Sequence, residues 1–276
     1  MSESYGVINA HVVGTLMKEA VRRAIVAIRA QRFTFEARVK GVGPTGSPDL
    51  VTTADRAAQR VFVKLLRDWF PTFGVVAEED DLSVPCTEPG QDLWFSVDPL
   101  DGTKAFVRRQ STGIGTMIAL ACDGEVVAAC VGDVMTQEVY ATRPESAEVY
   151  RISEFGVAEQ LAINADRTLA EQWLQLRDRP TNYSPTVQAL VSRDQPLFRA
   201  FEVTNGSIGV GMARLWKGEV AGAVIRPGLG TPWDLCPVLG ICRKLGFVFV
   251  SIAPECSEFE LFELPVIPTL VDIEHE

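Results

Sequence analysis

A strand that runs directly into two carboxylates sets the strongest limit on how this chain can fold. Trp94-Phe95-Ser96-Val97 carries strand-forming aromatic and β-branched side chains, and Asp98-Pro99 follows at once. Proline lacks an amide donor and disfavours further pairing, so the strand is expected to stop there. Asp101 comes three residues after Asp98, and Gly102-Thr103 turns the backbone into the helix-compatible Lys104-Ala105-Phe106-Val107. Two carboxylates then share one tight loop. Like charges that close raise each other's pKa unless a cation lies between them. Oxygen-only ligands suit a hard ion such as magnesium, with the following amides able to hold a phosphate oxygen. An Asp-Pro turn with an Asx-type cap uses the same residues for structure alone. Only carboxylates elsewhere can decide between the two.

The 276 residues suffice for one large domain or two closely packed halves, and 47% hydrophobic with 22% charged residues describes a globular chain. A net charge of −10 argues against a nucleic-acid binder that neutralises many phosphates, and requires local cations for any anionic substrate. The six cysteines form no Cys-x-x-Cys pair and several lie in apolar runs, which argues against structural zinc and for a reducing, cytoplasmic setting. Charged residues interrupt the first thirty positions, so no secretory or membrane-spanning segment is expected. The histidines, His11 and His275, both lie near the ends, which disfavours a histidine general base.

Val12, Val13, Leu16, Met17, Ala20, Ala24, Ile25 and Ile28 repeat at helical spacing and predict an amphipathic first helix. Lys40 to Pro48 is rich enough in glycine and proline to predict a mobile loop. Ala58, Val61, Phe62, Leu65, Leu66 and Trp69 predict a second helix, with Thr52 or Thr53 as N-cap and Asp55 in the first turn, where the helix dipole favours a negative charge. A short strand from Phe73 to Ala77 would deliver Glu78 and Glu79 at its end, ahead of Asp80 and Asp81; a solvated acidic loop is the structural alternative. Ile114–Leu120 and Val126–Val131, joined at Asp123-Gly124, read as a hairpin, with Val139–Thr142 as a third strand. The pattern weakens after Arg143, which places a soft boundary there. The expected halves are 1–143, with an antiparallel sheet and most of the acidic cluster, and 144–276, an α/β half, packed as one unit. In the second half Gln188–Ser192 and Ala221–Ile225 read as strands, and Ile208–Trp216 as a helix ended by Gly218. Thr231-Pro232-Trp233-Asp234 opens a helix closed by Gly246, with Pro237 placed in its first turn, and Phe247–Val250 reads as one more strand.

Glu78 at a strand end, Asp98 and Asp101 on a turn and Asp234 at a helix start are four carboxylates at element termini, which can converge while leaving room for water and phosphate. With these residues the sequence resembles the magnesium-dependent, lithium-sensitive phosphomonoesterases typified by inositol monophosphatase. Asp98-Pro99-Leu100-Asp101-Gly102-Thr103 matches the first signature of that family, and Trp233-Asp234 with Gly246 matches the second. Glu78-Glu79 and Val51-Thr52-Thr53-Ala54-Asp55 match two further motifs in order and spacing. The resemblance implies a layered α-β-α-β-α sandwich of the sugar-phosphatase type, often a homodimer. It implies that Glu78, Asp98, Asp101, Asp234 and the Leu100 carbonyl hold two or three Mg²⁺ ions. Asp55, Thr103 and Glu78 would be catalytic, Thr103 orienting a metal-activated water. The Gly102 and Thr103 amides would hold phosphate, and Ser207 and Arg226 would meet the rest of the substrate.

Ala77, Pro237 and Phe247 depart from the family pattern at packing positions. Pro227 stands where inositol-specific members place a Glu, and Ile225-Arg226-Pro227-Gly228 looks more like the bisphosphate nucleotidases, which act on 3′-phosphoadenosine 5′-phosphate. A further arginine suits a second phosphate. The substrate expected first is therefore such a nucleotide, followed by inositol 1-phosphate, then histidinol phosphate or fructose 1,6-bisphosphate. The non-enzymatic alternative is a regulatory protein that keeps the fold and binds a protein or RNA partner.

Overall fold

The computed structural model describes residues 4–43, 46–164, 166–191, 197–225, 231–251 and 260–261. Two short strands, β1 (Ser4–Tyr5) and β2 (Ile8–Asn9), pair ahead of α1 (Ala10–Ala30), whose first turn is capped by the Asn9 side chain at 3.0 Å from the Val12 amide. The stretch expected to be a mobile loop from Lys40 to Pro48 is strand at both of its ends. Lys40, Gly41 and Val42 belong to β3 (Ala37–Val42), which pairs antiparallel with β4 (Pro48–Thr52) and slips register between Val39 and Gly41. Ladder pairing outweighs glycine's low strand preference there, and the slip falls where glycine tolerates it. α2 (Thr53–Trp69) starts on a complete capping box between Thr52 and Asp55.

The central sheet is built from β5 (Gly74–Ala77), β6 (Leu82–Val84), β7 (Leu93–Asp101), β8 (Gly115–Cys122), β9 (Glu125–Asp133), β10 (Val139–Thr142), β11 (Val149–Ile152) and β12 (Ala158–Leu161). Their order is β12-β11-β10-β9-β8-β7-β5-β6, antiparallel except for the β5–β7 pair. The sheet thus continues past residue 143 through two further strands. β7 does not stop at Asp98-Pro99 as expected. It runs to Asp101 through an irregularity in which Asp98 faces Met117 and Asp101 faces Gly115, one residue more on β7 than on β8. Pro99 sits in this bulge, where a missing donor costs no ladder bond. α3 (Thr103–Val107) follows directly.

A three-stranded parallel sheet forms the second layer, with β13 (Trp173–Leu176) between β14 (Ala200–Val203) and β15 (Gly222–Val224). Gln188–Leu190, expected in a strand, lies in the short helix α4 (Pro185–Leu190), with Ser184 as N-cap and Pro185 at its first position. α5 (Ile208–Trp216) and α6 (Pro232–Leu245) follow, and Gly246 closes α6 in the left-handed conformation. Pro237 falls in the second turn of α6 rather than the first, so it withholds an amide from the Trp233 carbonyl. Of the strand expected at Phe247–Val250 only Val250 is paired, in β16 (Val250–Ser251) against β17 (Glu260–Leu261).

Alternate residues of β8 explain the layering. Ile118 and Leu120 join a core with α1 and α2 through Val13, Met17, Ile25 and Phe62, whereas Met117 and Ala119 join one with α5 and α6 through Met212, Trp216 and Ile241. A strand covered on both faces reads as continuous apolar sequence. A third cluster of Leu174, Leu176, Val187 and Phe198 packs α4 on the parallel sheet. The layers are therefore α1/α2, central sheet, α5/α6, second sheet and α4, the α-β-α-β-α sandwich expected. Among the described residues no helix is long and apolar enough to cross a membrane.

Candidate metal centre

The bulge in β7 determines where its acids point. Side chains three apart on a regular strand face opposite sides, and one extra residue restores them to the same side. Asp98 and Asp101 accordingly converge with Asp234 from the first turn of α6, one carboxylate oxygen of each lying within 4.8 Å of the others. Asp98 is 2% exposed and Asp101 5%. Asp98 Oδ1 is buried and has no hydrogen-bond partner among the described residues. Burial pushes the Asp98 carboxyl well above the ordinary carboxylate range, and Glu78, Asp101, Asp234 and Asp55 push it the same way. Burial and then Asp101 raise Asp234 to about 6, against the bonds from Thr231. An orphaned buried oxygen among acids that repel one another is the arrangement a cation relieves. Oxygen-only donors fit a hard divalent ion such as Mg²⁺.

Glu78 stands at the end of β5 beside Asp98, and burial raises its carboxyl despite the neighbouring Lys40. Its Oε1 accepts from Lys40 Nζ at 2.7 Å, and the same ammonium reaches Glu79 Oε1 at 3.0 Å. Burial disfavours the charge on Lys40, but the two glutamates outweigh it and raise its pKa. Glu79 belongs to no solvated loop: it is 1% exposed, and its backbone exchanges two bonds with the Gln59 side chain. Sequence reasoning missed Lys40 because it was assigned to a loop, and Gln59 because a lone glutamine on an apolar helix stripe carries no chemical signal.

Asp55 is both a helix cap and a partner of Thr103. Its Oδ2 accepts the Thr52 amide at 2.8 Å and closes the capping box, while its Oδ1 accepts the Thr103 hydroxyl at 2.9 Å. Thr103 Oγ1 also lies 3.2 Å from the Leu100 carbonyl. Asp234 repeats the device, its Oδ2 accepting from the amide and hydroxyl of Thr231. A cleft of about 240 Å³ opens over Gly102 and Thr103, lined also by Asp49, Leu50, Lys104 and Gly206. Gly102 adopts φ +91°, and a Cβ there would meet the Gly113 carbonyl and lie 2.6 Å from the Ser207 amide nitrogen, so only glycine fits.

Ser207, expected to meet substrate, is turned elsewhere. Its hydroxyl donates to Asp101 Oδ2 and accepts from the Val210 amide at 2.9 Å, so its one proton is committed to Asp101. Arg226, with Pro227, lies outside the described residues. Arg177, which the sequence did not single out, holds the carbonyls of Gly206 and Ser207.

Comparison with known proteins bears on the family and the fold. The family model described as "Inositol monophosphatase family" matches residues 10–270. The chain is 28% identical over 202 residues to the Escherichia coli K12 protein named Nus factor SuhB, covering 73% of this chain and 71% of that one. It is 34% identical over 121 residues to a Thermotoga maritima protein named fructose-1,6-bisphosphatase/inositol-1-monophosphatase, covering 42% and 44%. Among solved structures, an IMPase from Thermotoga maritima superposes with a TM-score of 0.64 at 22% identity, over 87% of this chain and 85% of that one. The extragenic suppressor protein SuhB from Bartonella henselae gives 0.64 at 20% identity over 87% of both chains. With signature residues, layer order and a match spanning nearly the whole sequence in agreement, the chain belongs to the inositol monophosphatase family.

Proposed function

We propose that this protein is a Mg²⁺-dependent hydrolase of a small phosphate monoester. The observation that carries the reading is the convergence of Asp98, Asp101 and Asp234 around a buried, unpartnered Asp98 oxygen. These three carboxylates, Glu78 and the Leu100 carbonyl would hold the ions. Bound Mg²⁺ would supply Lewis-acid stabilisation of the charge that develops on phosphorus and on the leaving alkoxide. The chain's own part is positioning. Thr103 donates to Asp55, which leaves an oxygen lone pair to accept a hydrogen bond from the attacking water and so orient it. The Gly102 and Thr103 amides, lining the cleft, would hold phosphate oxygens, and catalysis of this class consists largely of such placement and electrostatics.

For the alcohol half of the ester, the name of the Thermotoga maritima relative supports inositol 1-phosphate and fructose 1,6-bisphosphate. The reading in favour of 3′-phosphoadenosine 5′-phosphate rests on the sequence around Arg226. We therefore place inositol 1-phosphate first and keep the nucleotide as its competitor. Phosphate release from both, with fructose 1,6-bisphosphate and histidinol phosphate alongside, with and without Mg²⁺ and with Li⁺ added, tests this. Turnover that needs Mg²⁺ and is suppressed by Li⁺ is expected. No Mg²⁺-dependent release from any of the four would remove the enzymatic reading. The relatives named Nus factor favour a second one, action through a bound partner. Recovery of a stoichiometric partner that is unaffected by Asp98→Asn would support it. Whether two copies of the chain associate is decided by sedimentation.

A further inference from the structure

Asp101 is held from the second half of the chain. Ser207 Oγ donates to its Oδ2, the Gly209 amide donates to the same oxygen at 2.8 Å, and the Ile208 amide donates to Oδ1 at 3.0 Å. Ser207 is fully buried. Both carboxylate oxygens are thus tied to the start of α5, and the carboxylate cannot rotate without breaking them. Ser207 is itself anchored on two sides. Its amide donates to the Gly113 carbonyl at 2.8 Å, and the Arg177 guanidinium donates through Nη1 to the Ser207 carbonyl at 2.9 Å and through Nη2 to the Gly206 carbonyl at 2.6 Å. Arg177 directly follows β13, so a continuous bracket runs from the parallel sheet through residues 206–209 to the end of β7. Among the described residues Asp98 Oδ1, by contrast, has no hydrogen-bond partner, and Asp234 accepts from Thr231, the N-cap of its own helix.

We propose that Ser207 and Arg177 are positioning residues for Asp101, fixing the direction in which its carboxylate faces Asp98 and Asp234 and thereby setting the affinity of the centre for its metal. Ser207 acts directly, and Arg177 acts by holding the turn that carries Ser207 and the two amides. The proposal rests on Asp101 as a Mg²⁺ ligand. Removing the hydrogen-bond partner that orients a ligating side chain weakens metal binding by about 10–100-fold.

The test is Mg²⁺ binding to the EDTA-treated full-length chain, read by isothermal titration and by the Mg²⁺-induced rise in melting temperature. Ser207→Ala and Arg177→Met are expected to bind Mg²⁺ at least about tenfold more weakly than wild type. Arg214→Met is the control, because Arg214 pairs with Glu202 and Glu219 from the same helix without reaching Asp101. It is expected to change stability and leave Mg²⁺ affinity unaltered. Wild-type affinity in both Ser207→Ala and Arg177→Met overturns the proposal, as does an equal loss in Arg214→Met. Should Ser207→Ala not fold, Arg177→Met carries the same comparison. Absence of Mg²⁺ binding by the wild type overturns the metal reading and this proposal with it, whereas wild-type binding unchanged in the two variants overturns this proposal alone.

Discussion

At Asp55 one carboxylate oxygen closes a helix cap and the other accepts from Thr103, and the Asp234 side chain that caps its helix also converges with Asp98 and Asp101. Structural and chemical roles are carried by the same side chains, which is why each acid taken singly had an adequate structural explanation in the sequence. The four at element ends were legible because strand termini and caps announce themselves locally. Ser207's attachment to Asp101 was not, since no local pattern reports a partner 106 positions away. Asp98→Asn preserves shape and removes one charge. It is expected to lose at least ~2.7 kcal/mol of transition-state stabilisation, about a hundredfold in turnover. Because Asp98 is buried among other acids, the EDTA-treated variant should melt no lower than wild type while its Mg²⁺-induced stabilisation disappears. Near-normal turnover, or a full Mg²⁺ shift, would sink the ligand assignment. At Thr103, the alanine variant should lose about a hundredfold in kcat and the serine variant most of that loss should regain, since only serine keeps the hydroxyl that donates to Asp55. Steady-state kinetics in which Thr103→Ala matches Thr103→Ser would refute the water-orienting role.

Helices long enough to show their period were read correctly: α1 and α2 appear where their apolar stripes place them, and the β8–β9 hairpin turns at Asp123-Gly124 as its composition demands. The misread elements are those whose local signals point the wrong way. α4 spans six residues, too few to separate a 3.6-residue period from an apolar strand, and its usable signal was Ser184-Pro185 at its start. β3 was hidden because glycines at 41 and 43 imitate a loop when the partner strand is ignored. β7 was cut short because Pro99 argues against pairing everywhere except in a bulge. The loop after α3 offers a stability test. Gly113 has φ +72°, and a Cβ would lie 2.7 Å from the Asn205 carbonyl oxygen. Gly113→Ala combines left-handed strain with a backbone clash and should cost about 1–3 kcal/mol, several degrees in melting temperature. Gly46→Ala, also at positive φ but with open space around it, should cost less. Equal losses in calorimetry would show that conformation alone, without the contact to residue 205, governs both positions.

The two halves separated in the sequence at residue 143 are joined in the molecule by a sheet that continues to Leu161. Across its start Glu138, just ahead of β10, accepts from Arg151 Nε of β11 at 3.0 Å and from the Tyr140 hydroxyl at 2.8 Å. Burial alone would raise the Glu138 carboxyl, but the bonds from Arg151 and Tyr140 prevail and hold it below its ordinary value of 4.5. A depressed folded pKa contributes stability that is present above the ordinary value and is lost as pH falls through the depressed one. Glu138→Gln should therefore be less stable than wild type at neutral pH, with the gap closing below pH 4.5. Urea denaturation across pH 3 to 7, a range chosen as roughly spanning that transition, measures it; a gap independent of pH would contradict the ion pair's part. The tie between Asp101 and residues 207–209 has a consequence for the order of assembly. Synthesis reaches Asp101 more than a hundred residues before Ser207, Ile208 and Gly209, the donors that orient it. A nascent chain can complete its first helices and much of the central sheet while this acid still lacks its partners, since contacts so distant in sequence close last. On the metal reading proposed above, Mg²⁺ uptake is then expected only after residues 207–209 have docked on the end of β7.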